Sequence, residues 1–414
     1  MNFVWSGLIA AFGLVALSAQ AQDLRVLTSF PPAVSDAYVA LFERDDGAPR
    51  VQVLNKNTVA GIDEVLRGND RNFDIFWSSS PEAFEILHRN GAFVDADGCG
   101  PDGPAPVAPF ALSAVGWARR ADSDVFMPAD WNDLLRPLYR DRVAMARPAR
   151  SGTTHMLVEQ LLLVRGWEDG WAYLLELAGN LSTLTARSFG VPDGLENKRF
   201  EIGLTIDFLA QSRGETLRFR YGRPMVLVPA QIGVLRGGLQ TEAACEFLQL
   251  TLSREGQMAL LSPEISRVPF DPAIRAELAH RLPVDIVEAL KLSWLDYDAE
   301  ISANRYWAVN TLFDLMIAEA LPQRRHLWRR YHALKGRVPD EQLGNIRRQL
   351  TTVVISEEEA LRASGSVNGG LRKTALAGLG EAERGATQEW RQRISAQLRA
   401  ADLALAELER QEPG

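Results

Sequence analysis

Short apolar runs of strand character alternate with stretches of helical periodicity along the first ninety residues, and no other feature limits the possible folds as tightly. Residues 24–29 (Leu24-Arg25-Val26-Leu27-Thr28-Ser29) read as a β-strand, 35–44 as a helix with apolar Tyr38, Leu41 and Phe42, and 51–54 as a second strand. Residues 61–68 read as a helix and Phe73-Asp74-Ile75-Phe76-Trp77 as a third strand. A helix over 81–89 follows, opened by Pro81 at a favoured first-turn position. Such alternation predicts a parallel sheet covered by helices, an α/β fold. The first strand ends at Ser29 and the third runs into Ser79, at the carboxyl ends where open parallel sheets place their ligands.

The stretch Arg147-Pro148-Ala149-Arg150-Ser151-Gly152-Thr153-Thr154-His155 combines two arginines with three hydroxyls. It follows a strand-like Val143-Ala144-Met145-Ala146 and precedes a helical run over 159–164. A helix start leaves N–H groups unpaired and carries partial positive charge, so Ser and Thr there cap the helix and donate to an anion. Gly152 lets a ligand oxygen approach the backbone closely. The stretch therefore reads as an anion cradle suited to phosphate, or as a plain N-cap with arginines paired to surface carboxylates. Its glycine spacing matches neither the phosphate loop of nucleotide hydrolases nor a dinucleotide fingerprint.

A net charge of −8 over 414 residues argues against nucleic acid as the partner, so a basic pocket here is a local device. Residues 1–21 read as a secretory signal: an apolar run over 7–18, then Ala19-Gln20-Ala21 as a small-x-small cleavage site, although the first six residues carry no Lys or Arg. A signal anchor is the alternative. The expected location is the periplasm. Cys99 and Cys245 are the only cysteines; one disulfide and two separate thiols both remain open, and their number makes no zinc site.

Farther on, residues 108–119 read as a strand leaving the first lobe. Residues 166–179 form a helix whose Trp167 and Trp171 are expected in the core. The segment 199–208 contains a strand that ends in Asp207, and 225–234 is a strand returning to the first lobe. With these segments in place the chain resembles the type 2 periplasmic solute-binding proteins of the iron and sugar-phosphate branch. It is similar in kind to hexose-phosphate binding proteins and phosphoglycerate transport regulatory proteins. The carriers are Asp74-Ile75-Phe76-Trp77-Ser78-Ser79, Arg150-Ser151-Gly152-Thr153-Thr154-His155, Ala186-Arg187-Ser188-Phe189-Gly190-Val191-Pro192-Asp193-Gly194, Pro229-Ala230-Gln231-Ile232-Gly233 and Leu252-Ser253-Arg254-Glu255-Gly256-Gln257. Their order and spacing over about residues 24–270 are more specific than any one of them.

The resemblance implies two α/β lobes closing on a hinge, with lobe one at 22–116 plus 238–300 and lobe two at 117–237. It implies capture of a small phosphorylated organic anion for an ABC importer. The alternatives are presentation of the ligand to a membrane histidine kinase, and ferric iron binding. Iron-binding relatives grip metal with a tyrosine pair where this chain reads Ile206-Asp207-Phe208, a departure that argues against iron. Ser151, Thr153 and Thr154, with the amides of Gly152 and Thr153, are expected to hold phosphate oxygens, Arg150 and His155 to add donors, and Ser29 and Ser79 to contribute from lobe one. Arg187 and Ser188 are expected to face the cleft, Asp207 to accept from sugar hydroxyls, and Gln231 to supply a polar group near the second crossing. No resident metal, cofactor or catalytic residue is expected: Ser151 or Thr154 beside His155 makes no nucleophile–base–orienter relay, and no Gly-x-Ser-x-Gly elbow occurs.

Residues 301–414 read as a helical C-terminal extension. The basic, aromatic run over 323–332 is either a solvated face above a packed stripe or a docking surface. Ser356-Glu357-Glu358-Glu359 is a capping-box signature, and residues 364–370 read as a flexible linker. Trp390, Ile394, Leu398, Ala401, Leu405 and Leu408 recur at helical spacing, predicting one long amphipathic helix over 381–409, covered by the protein's own body or by a partner.

Overall fold

A computed structural model describes residues 22–291, 295–368 and 381–411. The expected signal segment lies outside these residues. Two sheets organise the chain. The first contains β1 (Leu24–Thr28), β2 (Val51–Asn55), β3 (Ile75–Ser78), β4 (Val107–Ser113), β10 (Val226–Val234), β11 (Val268–Pro269) and β12 (Leu295–Asp296). Its order is β11-β4-β10-β3-β1-β2, with β12 pairing to β10. The second contains β5 (Val115–Arg120), β6 (Val143–Ala146), β7 (Leu181–Thr185), β8 (Ile202–Ile206) and β9 (Leu217–Tyr221), in the order β7-β6-β8-β5-β9. β1 runs parallel to β2 and β3, and β6 runs parallel to β7 and β8, as the strand–helix alternation predicts.

The chain leaves the first sheet after Ser113 and enters the second at Val115, so Ala114 alone separates the lobes there. It returns over residues 222–225, ahead of the division expected near 237, because the whole of β10 pairs with first-sheet strands: Val226 and Leu227 with β12, and Val228–Val234 with β4 and β3. The helices of the two lobes are α1 (Pro32–Phe42), α2 (Thr58–Leu66), α3 (Pro81–Arg89), α4 (Gly152–Arg165), α5 (Trp167–Leu177), α6 (Gly190–Glu196), α7 (Asp207–Gln211), α8 (Thr241–Leu252), α9 (Arg254–Ala259), α10 (Pro272–Glu277) and α11 (Val284–Ala289). Trp77 anchors lobe one among Phe30, Tyr38, Phe110 and Phe247. Cys99 and Cys245 form a disulfide that ties the loop after α3 to α8, with Cα atoms 5.5 Å apart.

The C-terminal extension comprises α12 (Ala299–Phe313), α13 (Leu321–Ala333), α14 (Asp340–Thr351), α15 (Glu357–Asn368) and α16 (Glu381–Gln411). Its own packing covers the stripe of α16: Trp390, Ile394, Leu398, Ala401, Leu405 and Leu408 are buried, and α16 lies on α13, α14 and α15. The basic run is no open docking face. Trp328 is buried and donates to the Leu175 carbonyl, Arg325 pairs with Asp141, and Arg330 pairs with Asp402 and Glu409. The expected linker is helical as far as Asn368. Buried Ser364 accepts from the Ala308 amide at 3.3 Å, so its small side chain serves close helix packing rather than flexibility, and the remaining linker positions, 369 and 370, lie outside the described residues.

Candidate functional site

Between the lobes lies a cavity lined from lobe one by Ser29, Phe30, Pro31, Asn57, Thr58 and Ser79, and from lobe two by Arg150, Ser151, Gly152, Thr153, Arg187, Ser188, Phe208 and Leu209. It leaves ≈ 20 Å³ in which the centre of a water-sized sphere can move, room for about one water. The lobes therefore stand closed. Eight of the twelve residues singled out in the sequence meet here: Ser29, Ser79, Arg150, Ser151, Gly152, Thr153, Arg187 and Ser188.

The turn before α4 is built as an N-terminus. Ser151 is the N-cap, its Oγ accepting from the Thr154 amide at 3.1 Å and from the Thr154 hydroxyl at 3.0 Å. The amides of Gly152 and Thr153 find no hydrogen-bond partner among the described residues. Across the cavity α2 begins in the same way, with Asn57 capping the Ala60 amide at 3.0 Å. A Cβ built on Gly152 would stand 2.6 Å from Thr58 Oγ1, so the two helix starts abut. Each start carries unpaired N–H groups and the positive end of a helix dipole, and both address one small space.

Two guanidinium groups add charge to this space. Among the described residues neither Arg150 nor Arg187 has a carboxylate within ion-pair distance. Arg187 donates to Asn55 Oδ1 across the cleft at 2.5 Å and lies over the Phe189 ring at 4.7 Å; partial burial lowers its pKa. Arg147, by contrast, pairs with Asp314 and is spent on holding the segment after α12.

Four expected ligand groups lie outside the cavity lining. Thr154 is occupied with the cap. His155 stands one turn into α4, fully buried, with Nδ1 3.1 Å from Asn310 Oδ1 and Nε2 3.2 Å from Ser302 Oγ, both on α12. Desolvation lowers its pKa to about 3, so it is neutral. Ser302 continues to Tyr297 (2.9 Å), Tyr297 to Glu82 (3.1 Å), and Glu82 to Ser80; the chain joins α4, α12 and α3. Asp207 is also buried: its carboxylate accepts from the Ala114 amide at 3.0 Å and the Phe208 amide at 2.7 Å, fastening α7 to the first crossing instead of reaching a ligand. Burial raises its pKa to about 6, moderated by those amides and by Arg267. Gln231 sits at the irregularity in β10, with a buried Oε1 that has no partner among the described residues.

Asn57 and Thr58 were not singled out from the sequence. The available signal was Asn57, an N-cap residue directly before an apolar run. Phe30 and Phe208 likewise form walls that no local pattern marks.

The comparisons with known proteins bear on the family and the fold. Residues 25–262 match the family described as bacterial extracellular solute-binding protein. The chain belongs to this family. Its members are binding proteins, and the role that follows is capture of a solute for import. A curated relative, the phosphoglycerate transport regulatory protein PgtC of Salmonella typhimurium, is 28% identical over 361 residues, covering 82% of this chain and 89% of the relative. That span is too long to lie within the two lobes alone and so includes part of the helical extension. Among solved structures, the periplasmic binding protein AfuA from Actinobacillus pleuropneumoniae, bound to fructose-6-phosphate, superposes with a TM-score of 0.60 at 15% identity, over 70% of this chain and 97% of that one. Iron-bound HitA from Pseudomonas aeruginosa gives 0.51 at 18% identity, over 65% and 97%. At such identities these likenesses establish the two-lobed fold. Among the described residues no three His, Cys, Asp or Glu side chains cluster as a metal site, and no helix is long and apolar enough to cross a membrane.

Proposed function

We propose that this solute-binding protein captures a small phosphorylated organic anion in the periplasm and delivers it to an ABC importer. The observation that carries the reading is the unpaired Gly152 and Thr153 amides at the start of α4, in a cavity shared with Arg150 and Arg187. Phosphate oxygens supply the acceptors that both helix starts lack, and the uncompensated guanidiniums supply charge balance. Hydroxyl and amide contacts select by geometry and still permit release. The match to a phosphoglycerate transport regulatory protein and the fold shared with a fructose-6-phosphate binder support the same ligand class.

The test is thermal unfolding of the purified protein against hexose phosphates, phosphoglycerates, inorganic phosphate and ferric citrate. A true ligand at a hundredfold its Kd adds about 2.7 kcal/mol of stability. A response to ferric citrate alone defeats the proposal. The relative's regulatory name, and an alignment that runs into the helical extension, favour one second reading: presentation of the ligand to a membrane histidine kinase. Loaded protein that stimulates kinase autophosphorylation but not importer ATP hydrolysis would decide for it.

A further inference from the structure

Behind the cavity stands a cation that neither the fold nor the phosphate cradle accounts for. Arg267 precedes β11 and is 1% exposed. Its Nη2 makes one long contact, 3.4 Å to Ser113 Oγ at the end of β4, and its buried Nε and Nη1 have no hydrogen-bond partner among the described residues. Arg324, equally buried, is better satisfied: its Nε and Nη1 donate to the carbonyls of Met316 and Leu350, and only its Nη2 lacks a partner among the described residues. A buried charge lacking such partners is strongly unfavourable, and an apolar side chain of similar size would fill the same space without that penalty.

The surroundings of Arg267 point toward the cleft. Its guanidinium lies 4.0 Å from the Phe208 ring centre and 4.5 Å from that of Phe30. Both rings line the cavity, Phe30 from lobe one and Phe208 from lobe two, and they meet edge to face with centroids 6.5 Å apart. Arg267 is thus one ring's thickness behind the wall, at a seam that parts when the lobes part. The nearest acid, Asp207, is committed to the Ala114 and Phe208 amides and forms no ion pair with it. Burial lowers the pKa of Arg267 only to about 10, so the group is charged at neutral pH.

We propose that Arg267 is a second anion-binding group of the cleft and takes a carboxylate on the ligand whose phosphate the α4 turn holds. The ligand class is then a phosphate ester of a small carboxylic acid rather than a neutral sugar phosphate. This rests on the phosphate reading above. A carboxylate supplies the acceptors that Nε and Nη1 lack, and the aromatic seam keeps the guanidinium dry until the lobes open.

The test uses two probes that differ at one carbon. 3-Phosphoglycerate carries a carboxylate where glycerol 3-phosphate carries a hydroxymethyl group. Calorimetry on the full protein is expected to show the carboxylate probe binding at least tenfold more tightly, and Arg267→Met to shrink that ratio below threefold. The ratio, not either affinity, is the readout. Should Arg267→Met fail to fold, Arg267→Lys keeps the charge, loses the planar donors and is expected to reduce the ratio as well. Equal affinities in the parent protein, or an undiminished ratio in both variants, overturn the assignment of Arg267 while leaving the phosphate cradle standing. Failure of both probes to bind overturns the cradle and this assignment together.

Discussion

Gly152 and Thr58, each the first residue of a helix and each from a different lobe, are so close that a methyl group on Gly152 would stand 2.6 Å from Thr58 Oγ1 and 2.9 Å from Ser80 Cβ. Closure therefore requires a glycine at this position. Gly152→Ala is expected to hold the lobes apart by the width of a methyl group. Overpacking of this kind costs roughly 1–3 kcal/mol, and here it falls on the closed form alone. The expected result is ligand affinity weakened by about tenfold or more, with unfolding of the ligand-free open form little changed. Calorimetry beside small-angle scattering checks both; unchanged affinity with unchanged closure would refute the argument.

Arg147 and Arg150 lie in one stretch yet have separate tasks. Arg150 is exposed, unpaired and on the cavity, whereas Arg147 is bound to Asp314. Arg150→Ala is expected to weaken anion binding about tenfold, an effect that fades in high salt, and to leave the melting temperature near the parent value. Arg147→Ala is expected to do the reverse: Asp314 loses its partner and stability falls by about 1 kcal/mol. Loss of affinity in both variants would show that the stretch acts as one undivided cradle.

Two buried carboxyls set a pH dependence. Burial raises Glu82 to about 7 and Asp207 to about 6, above their ordinary values. A raised folded-state pKa means that the native protein binds the proton more tightly than the unfolded chain does. That stabilisation is complete below the unfolded pKa, near 4.5 for Glu82, and is lost as pH rises through about 7. Neutral His155, lowered to about 3, acts in the opposite sense and costs stability as pH falls below 6.5. Glu82→Gln isolates the first effect: relative to the variant, the parent is expected to lose on the order of 3 kcal/mol between pH 4.5 and 8. Denaturant unfolding across that range checks the slope, and parallel curves would contradict it.

The Cys99–Cys245 disulfide spans 146 residues and joins two parts of lobe one, neither of which lines the cavity. Closing a loop of that length removes unfolded-state entropy equivalent to roughly 4–5 kcal/mol in the chain-entropy account. Cys99→Ser with Cys245→Ser is expected to lower the denaturant midpoint clearly while ligand affinity stays within about twofold.

The α/β class and the Ser151–Thr153 turn were legible because both are written in local pattern: period-two strands, and hydroxyls with glycine at a helix start. Asn57, Phe30 and Phe208 were not, because they acquire meaning only when the lobes close. His155 was misleading for the same reason. Residues 150–153 just before it line the cavity, but its ring is claimed by Ser302 and Asn310 on α12, some 150 residues later. Asp207 directly follows its strand and opens α7, and its carboxylate is consumed by the Ala114 amide on a neighbouring strand connection, a contact no linear reading contains.

The helical extension is part of the folded body, and its removal tests that directly. Along α16, Trp390, Ile394, Leu398, Leu405 and Leu408 are each less than a tenth exposed, and Trp390 packs on Trp307 of α12 and donates to Glu359. Uncovering five such side chains, with the surfaces they cover, costs on the order of 10 kcal/mol at about 1.5–3 kcal/mol each, as much as the whole stability of an ordinary domain. The loss also reaches the cleft region, because α12 carries the Ser302 and Asn310 contacts to His155 in α4. A chain ending before residue 381 is therefore expected to be insoluble or to melt far below the parent. Leu403→Ala, on the exposed side of the same helix, is expected to melt within a degree or two of it. A truncated protein that is soluble, cooperative and as stable as the parent would mean that α16 is detachable, and its stripe would then be available to another protein.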